Sequence, residues 1–95
     1  MFIVLLKFAE KCADAGLYMQ AHKDWIQAGR EDGVFMLVGS LKPAMGGVLL
    51  AHNVELEALQ ERVAADPFVI HQVVSSEIIE VSPHQADERL TFLLH

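Results

Sequence analysis

Val34-Phe35-Met36-Leu37-Val38-Gly39 and Gly47-Val48-Leu49-Leu50-Ala51-His52 are two apolar runs, separated by Ser40-Leu41-Lys42-Pro43-Ala44-Met45-Gly46. Each run has strand length and is rich in branched side chains. The link contains Lys42-Pro43 and then a glycine, so it reads as a turn. Strands joined by so short a link pair as an antiparallel hairpin. Gly46-Gly47 suits a hairpin that needs unusual backbone angles and is too little for a phosphate cradle.

Working outward, the hairpin is flanked by helices. Upstream, Tyr18, Ala21, Trp25, Ala28 and Gly29 recur at spacings of three and four. That spacing predicts a helix from about Ala15 to Asp32, with Asp14 as its cap and Gly33 as its stop. His22 falls inside the stripe; Lys23, Asp24, Gln27 and Arg30 fall outside it. Downstream, Asn53 is the expected cap of a second helix with Glu55 and Glu57 near its positive end. Leu56, Leu59 and Val63 form its buried stripe, and Asp66-Pro67 ends it. Outermost are two more strands. Phe2 to Phe8 turns Phe2, Val4, Leu6 and Phe8 one way and Ile3 and Leu5 the other. Val73 to Ser82 is closed by Pro83.

The order strand, helix, strand, strand, helix, strand is the ferredoxin-like split pattern, an α+β fold with an antiparallel four-stranded sheet. Residues 1–95 form one domain, with a core over 1–83 and a tail over 84–95. Leu90-Thr91-Phe92-Leu93-Leu94 makes the tail apolar enough to pack on a partner. Two helices cover only one face of such a sheet, yet the first three strands are apolar on both faces. A second copy of the sheet is the economical cover, so a homodimer with facing sheets is expected.

Composition narrows the function classes. Hydrophobic residues are 53% and charged residues 21% of the chain, which argues against disorder. Mean hydropathy is +0.31, but no apolar run approaches the roughly 18 residues of a membrane span. A net charge of -6 with scattered basic residues argues against nucleic-acid binding. The apolar start Met1-Phe2-Ile3-Val4-Leu5-Leu6 has no basic region before it and no small-residue cleavage site after it, so no signal peptide is expected. The single Cys12 excludes an internal disulfide and fits a reducing compartment. The expectation is a cytoplasmic protein that contacts neither membrane nor nucleic acid.

Two residues stand out chemically. His22 lies on the buried side of its helix, where an imidazole needs a hydrogen-bond partner. It is either a satisfied core histidine or a working one. Asp66 sits where a helix ends, which is unfavourable for a carboxylate with respect to the helix dipole. Either it caps a short new turn that begins at Pro67, or it orients His22. Both helices lie on the same side of the sheet, so contact between the two is permitted. Tyr18 and Trp25 flank His22 and are candidate pocket walls. His52, His71, His84 and His95 are weaker candidates. None has the spacing of a helical metal motif, so no metal is expected. Ser40 lacks the glycine two residues later that a nucleophile elbow requires.

These residues carry a resemblance. Phe2-Ile3-Val4-Leu5-Leu6, His22 followed by Trp25-Ile26, Gly33-Val34-Phe35-Met36-Leu37-Val38-Gly39, Gly47-Val48-Leu49-Leu50-Ala51 and above all Asp66-Pro67-Phe68 resemble the YCII-related proteins. These are small dimeric α+β barrels similar to muconolactone isomerase. The resemblance runs from Met1 to about Pro83. It implies a histidine–aspartate active site, which falls on His22 and Asp66. Tyr18, Trp25, Ser40 and Phe68 are the expected substrate-binding set. Ser40 stands where many members have proline, which places it at the pocket rim. A related protein of chloroaromatic degradation eliminates chloride from a ring, so the resemblance admits lyase chemistry.

Two functions are consistent with these readings. One is a lyase or isomerase without a cofactor, in which His22 moves a proton on a cyclic enol, lactone or substituted phenol. The other is a non-catalytic, small-ligand-binding or stress-related dimer.

Overall fold

The computed structural model describes residues 1–94; His95, a candidate in the tail, lies outside them. The strands are β1 (Phe2–Phe8), β2 (Phe35–Leu41), β3 (Gly46–Ala51) and β4 (Val74–Glu80). The helices are α1 (Ala15–Glu31), α2 (Leu56–Ala64) and α3 (Pro67–Ile70). The four strands form one antiparallel sheet in the order β2-β3-β1-β4. This is the ferredoxin-like arrangement, with the second crossover divided into α2 and α3.

Alternation on β1 sets the two faces. Phe2, Val4 and Leu6 are buried under the helices, together with Leu49 and Ala51 of β3. Ile3 and Leu5 point to the opposite face, which no element covers. Leu59, Val63 and Phe68 complete the core from the helix side.

Gly33 stops α1 as its position predicts. It adopts φ 73°, donates to the Arg30 carbonyl at 3.0 Å, and lets Val34 donate to Gly29 at 3.0 Å. That pair of bonds is the Schellman termination. Gly29 itself meets the sheet: a Cβ there would lie 2.3 Å from the Phe35 ring. The missing side chain is what lets α1 come down onto β2.

Several local expectations are corrected. Asp14 makes no side-chain cap; a short 3-10 turn, Cys12–Asp14, feeds directly into α1. The α1 stripe is Tyr18, His22, Trp25, Ile26 and Gly29, while Ala21 and Ala28 are exposed. Alanine fits either side of a helix, so it marked the stripe poorly. Asn53 has φ 54° and precedes the helix; the cap position is Glu55, without a side-chain bond, and Leu56 is exposed. Asparagine tolerates the left-handed region, and here it bends the chain instead of capping it.

A β-bulge interrupts β2. Phe35 pairs with Ala51 and Leu37 with Leu50, which leaves Met36 without a partner. Phe35 and Val38 therefore both face the helices, although regular alternation would separate them. The tail forms a 3-10 segment, Glu88–Leu94. Phe92 meets His52 edge-on with ring centroids 5.5 Å apart, so the tail packs on its own chain.

Candidate functional site

Asp66 is where α2 gives way to α3. Its backbone is extended, and Pro67 occupies the first helical position, where a missing N–H costs nothing. The Phe68 N–H donates to Asp66 Oδ1 at 3.0 Å. The same oxygen lies 2.7 Å from His22 Nδ1. One oxygen thus accepts the cap bond from Phe68 and lies within hydrogen-bond distance of the imidazole. Its side chain is fully buried, whereas that of His22 keeps 12% of its exposure.

A carboxylate accepts and a ring N–H donates, so Nδ1 carries the proton in this bond. The ring nitrogen left for a ligand is Nε2. Asp66 Oδ2 has no hydrogen-bond partner among the described residues. An orphaned buried oxygen costs about 1–3 kcal/mol, which makes His22 the side chain on which the carboxylate depends.

The imidazole is fixed on its face as well as its edge. Phe68 stacks on it with centroids 3.9 Å apart and planes 5° from parallel. Trp25 lies behind, 5.9 Å from His22 and 5.0 Å from Phe35. Its Nε1–H donates to the Arg62 carbonyl at 3.0 Å, and Arg62 pairs with Asp32 at 2.7 Å. These bonds tie α1 to the end of α2 and so hold His22 against Asp66.

His22 opens into a cleft of about 270 Å³ between α1 and the sheet. Met19, Lys23 and Ile26 line it from α1, Leu6 and Phe8 from β1, Val38 and Ser40 from β2, and Phe68 from α3. Gly46 and Gly47 form part of its floor. Of the expected binding residues, Ser40 and Phe68 lie in this lining. Tyr18 and Trp25 do not, which corrects their reading as walls. Tyr18 instead stacks on His71, centroids 3.8 Å apart, and Trp25 is a strut between helices. Both are large rings that found a neighbour inside the fold.

Met19, Lys23 and Ile26 line the cleft although nothing in the sequence singles them out as site residues. Their spacing of four and three does mark a face of α1 beside the buried stripe. Among the described residues, no group of three or more histidine, cysteine, aspartate or glutamate side chains could hold a metal ion. No helix among them is long and apolar enough to cross a membrane.

No family model matches the chain, and no curated protein matches it in sequence. Among solved structures it is similar to 5-chloro-2-hydroxyhydroquinone dehydrochlorinase (TftG) from Burkholderia phenoliruptrix AC1100, in complex with 2,5-dihydroxybenzoquinone. The TM-score is 0.68 at 12% identity, over 85% of this chain and 93% of that one. At this identity the likeness is one of fold.

Proposed function

We propose that the chain is a YCII-related protein that performs acid–base chemistry on a small cyclic substrate, with His22 as the proton carrier. The observation that carries this reading is the 2.7 Å bond from His22 Nδ1 to a buried Asp66 at the wall of a mostly apolar cleft. Asp66 fixes the tautomer, and the Nε2 lone pair takes a proton from a carbon next to a ring carbonyl. The electrons of the broken C–H bond then expel a leaving group, or the proton returns to another carbon. The first outcome is an elimination and the second an isomerisation. Neither calls for a redox partner. Positioned proton transfer of this kind contributes typically about 10²–10⁴-fold. The fold likeness to an enzyme that acts on a chlorinated hydroquinone supports a ring substrate.

The proposed assembly is a homodimer through the open sheet face. Ile3, Leu5, Val48 and Leu50 lie on that face, with Leu37 and Ile79 more exposed at its edges. Apolar side chains on an uncovered sheet favour a second copy.

The test is a thermal-shift screen of cyclic enols, lactones and substituted phenols, followed by turnover assays on the hits. A hit that is processed by the wild type and not by His22→Ala supports the reading. Hits that bind and never turn over would point to a ligand-binding protein instead. Turnover unchanged in His22→Ala would refute the role of the histidine.

A further inference from the structure

We propose that the cleft is built for an anionic planar ring, with Lys23 as the residue that binds its negative group and Gly47 as the seat for the ring. The inference rests on the acid–base reading of the same cleft and names the substrate class for it.

Charge is the first observation. The chain carries 13 acidic residues against 7 basic ones, yet no acidic side chain lines the cleft among the described residues. The titratable groups in the lining are His22 and Lys23. Lys23 has no carboxylate within ion-pair distance among those residues. Its helical neighbours at three and four positions are Met19, Gln20, Ile26 and Gln27, none of them acidic. The nearby Asp24 is engaged by Gln20 at 2.9 Å. An unpaired ammonium at the edge of an apolar, acid-free cleft attracts anions and repels cations.

Shape is the second observation. Gly47 pairs with Leu6 on one side and Ser40 on the other, so a side chain there would project on the helix side of the sheet, into the cleft. Its backbone does not require glycine: it is not among the glycines with positive φ. A Cβ would meet only the Gly39 carbonyl, at 3.4 Å. Neither backbone angle nor crowding accounts for this glycine, and the space it leaves belongs to the cleft. A floor without a side chain, in a cleft also walled by Phe68 and His22, suits a planar ring. The ring would lie with its reacting carbon toward Nε2 and its anion toward Lys23.

Two matched probes test this: 2,5-dihydroxybenzoate, an anion at neutral pH, and 2,5-dihydroxybenzamide, its neutral isostere. Calorimetry on the wild type should show the benzoate bound about 10-fold more tightly than the amide at low salt, a preference that shrinks as salt rises. Lys23→Gln should bring the two to near parity, and Lys23→Arg should restore the preference. Gly47→Val should weaken both probes alike and leave their ratio unchanged. Equal binding of the two probes by the wild type, a preference that survives Lys23→Gln, or no binding of either probe overturns the proposal. The outcome is separable from that of the acid–base reading. A Lys23-dependent preference without His22-dependent turnover of any compound keeps the anion site and removes the catalysis. Turnover of neutral compounds without a charge preference does the reverse.

Discussion

Phe68 holds both members of the pair at once: its ring covers His22 at 3.9 Å while its backbone N–H donates to Asp66 Oδ1 at 3.0 Å. Ring and backbone can be separated by substitution. Phe68→Leu keeps the backbone bond and most of the buried volume, so it should cost about 1–1.5 kcal/mol. It removes the stack, and turnover should fall more than ligand affinity does. Phe68→Ala should cost about 3–5 kcal/mol, a large part of the stability of a small domain. Urea unfolding of both variants, with kinetics on the leucine variant, is the measurement.

Asp66→Asn and Asp66→Ala divide the two duties of the carboxylate. Asparagine also caps, so Asp66→Asn should keep α3 and lose the carboxylate beside His22. Asp66→Ala should lose the cap, worth about 0.5–2 kcal/mol, and leave a half-buried imidazole without its partner. The expected order of stability is wild type, then asparagine, then alanine, with turnover lost in both variants. Full turnover in Asp66→Asn would make Asp66 a cap and nothing more.

Gly29→Ala should destabilise. In an ordinary helix interior this change stabilises by about 0.5–1 kcal/mol. Here the new methyl would lie 2.3 Å from Phe35, and overpacking of this kind costs about 1–3 kcal/mol. A lower melting temperature for Gly29→Ala is expected. Trimming the ring in the double variant Gly29→Ala/Phe35→Leu should recover part of the loss, because the two sites share one contact.

Leu50→Lys should yield a folded monomer. Leu50 is on the uncovered face in the centre of β3, paired with Ile3 and Leu37, so the lysine would extend into solvent once the copies part. Sedimentation at micromolar concentration should give twice the chain mass for the wild type and the chain mass for the variant. A wild-type monomer with the full melting cooperativity of a single domain would remove the dimer.

Much of this layout could be read from residues. The hairpin, the Gly33 stop and the helix break at Asp66-Pro67 each rest on a local backbone constraint, and each stands where the sequence puts it. The contact between His22 and Asp66 was accessible because a buried imidazole needs a partner and Asp66 ends the other helix on the same side of the sheet. The bulge at Met36 was hidden, since a strand apolar on both faces has no alternation to break. The places of Tyr18 and Trp25 were hidden for a related reason. Spacing put them near His22 but could not tell a pocket wall from a ring packed behind it. Lys23 falls outside the buried stripe, as lysines usually do; only the cleft beside it makes the position informative.

The unpaired Met36 also makes β2 a strand of two independent halves. Phe35 anchors the inner half in the core, and the outer half takes its facing from the bulge alone. Closing the bulge with every residue kept, so that Met36 paired with Leu50, would exchange the two surfaces of the outer half while Phe35 stayed in place. Leu37 and Gly39 would then wall the cleft, and Val38 and Ser40 would join the open face. Substitutions that decide whether the bulge forms would therefore change the cleft wall and the open face together, while Phe35 kept its place in the core.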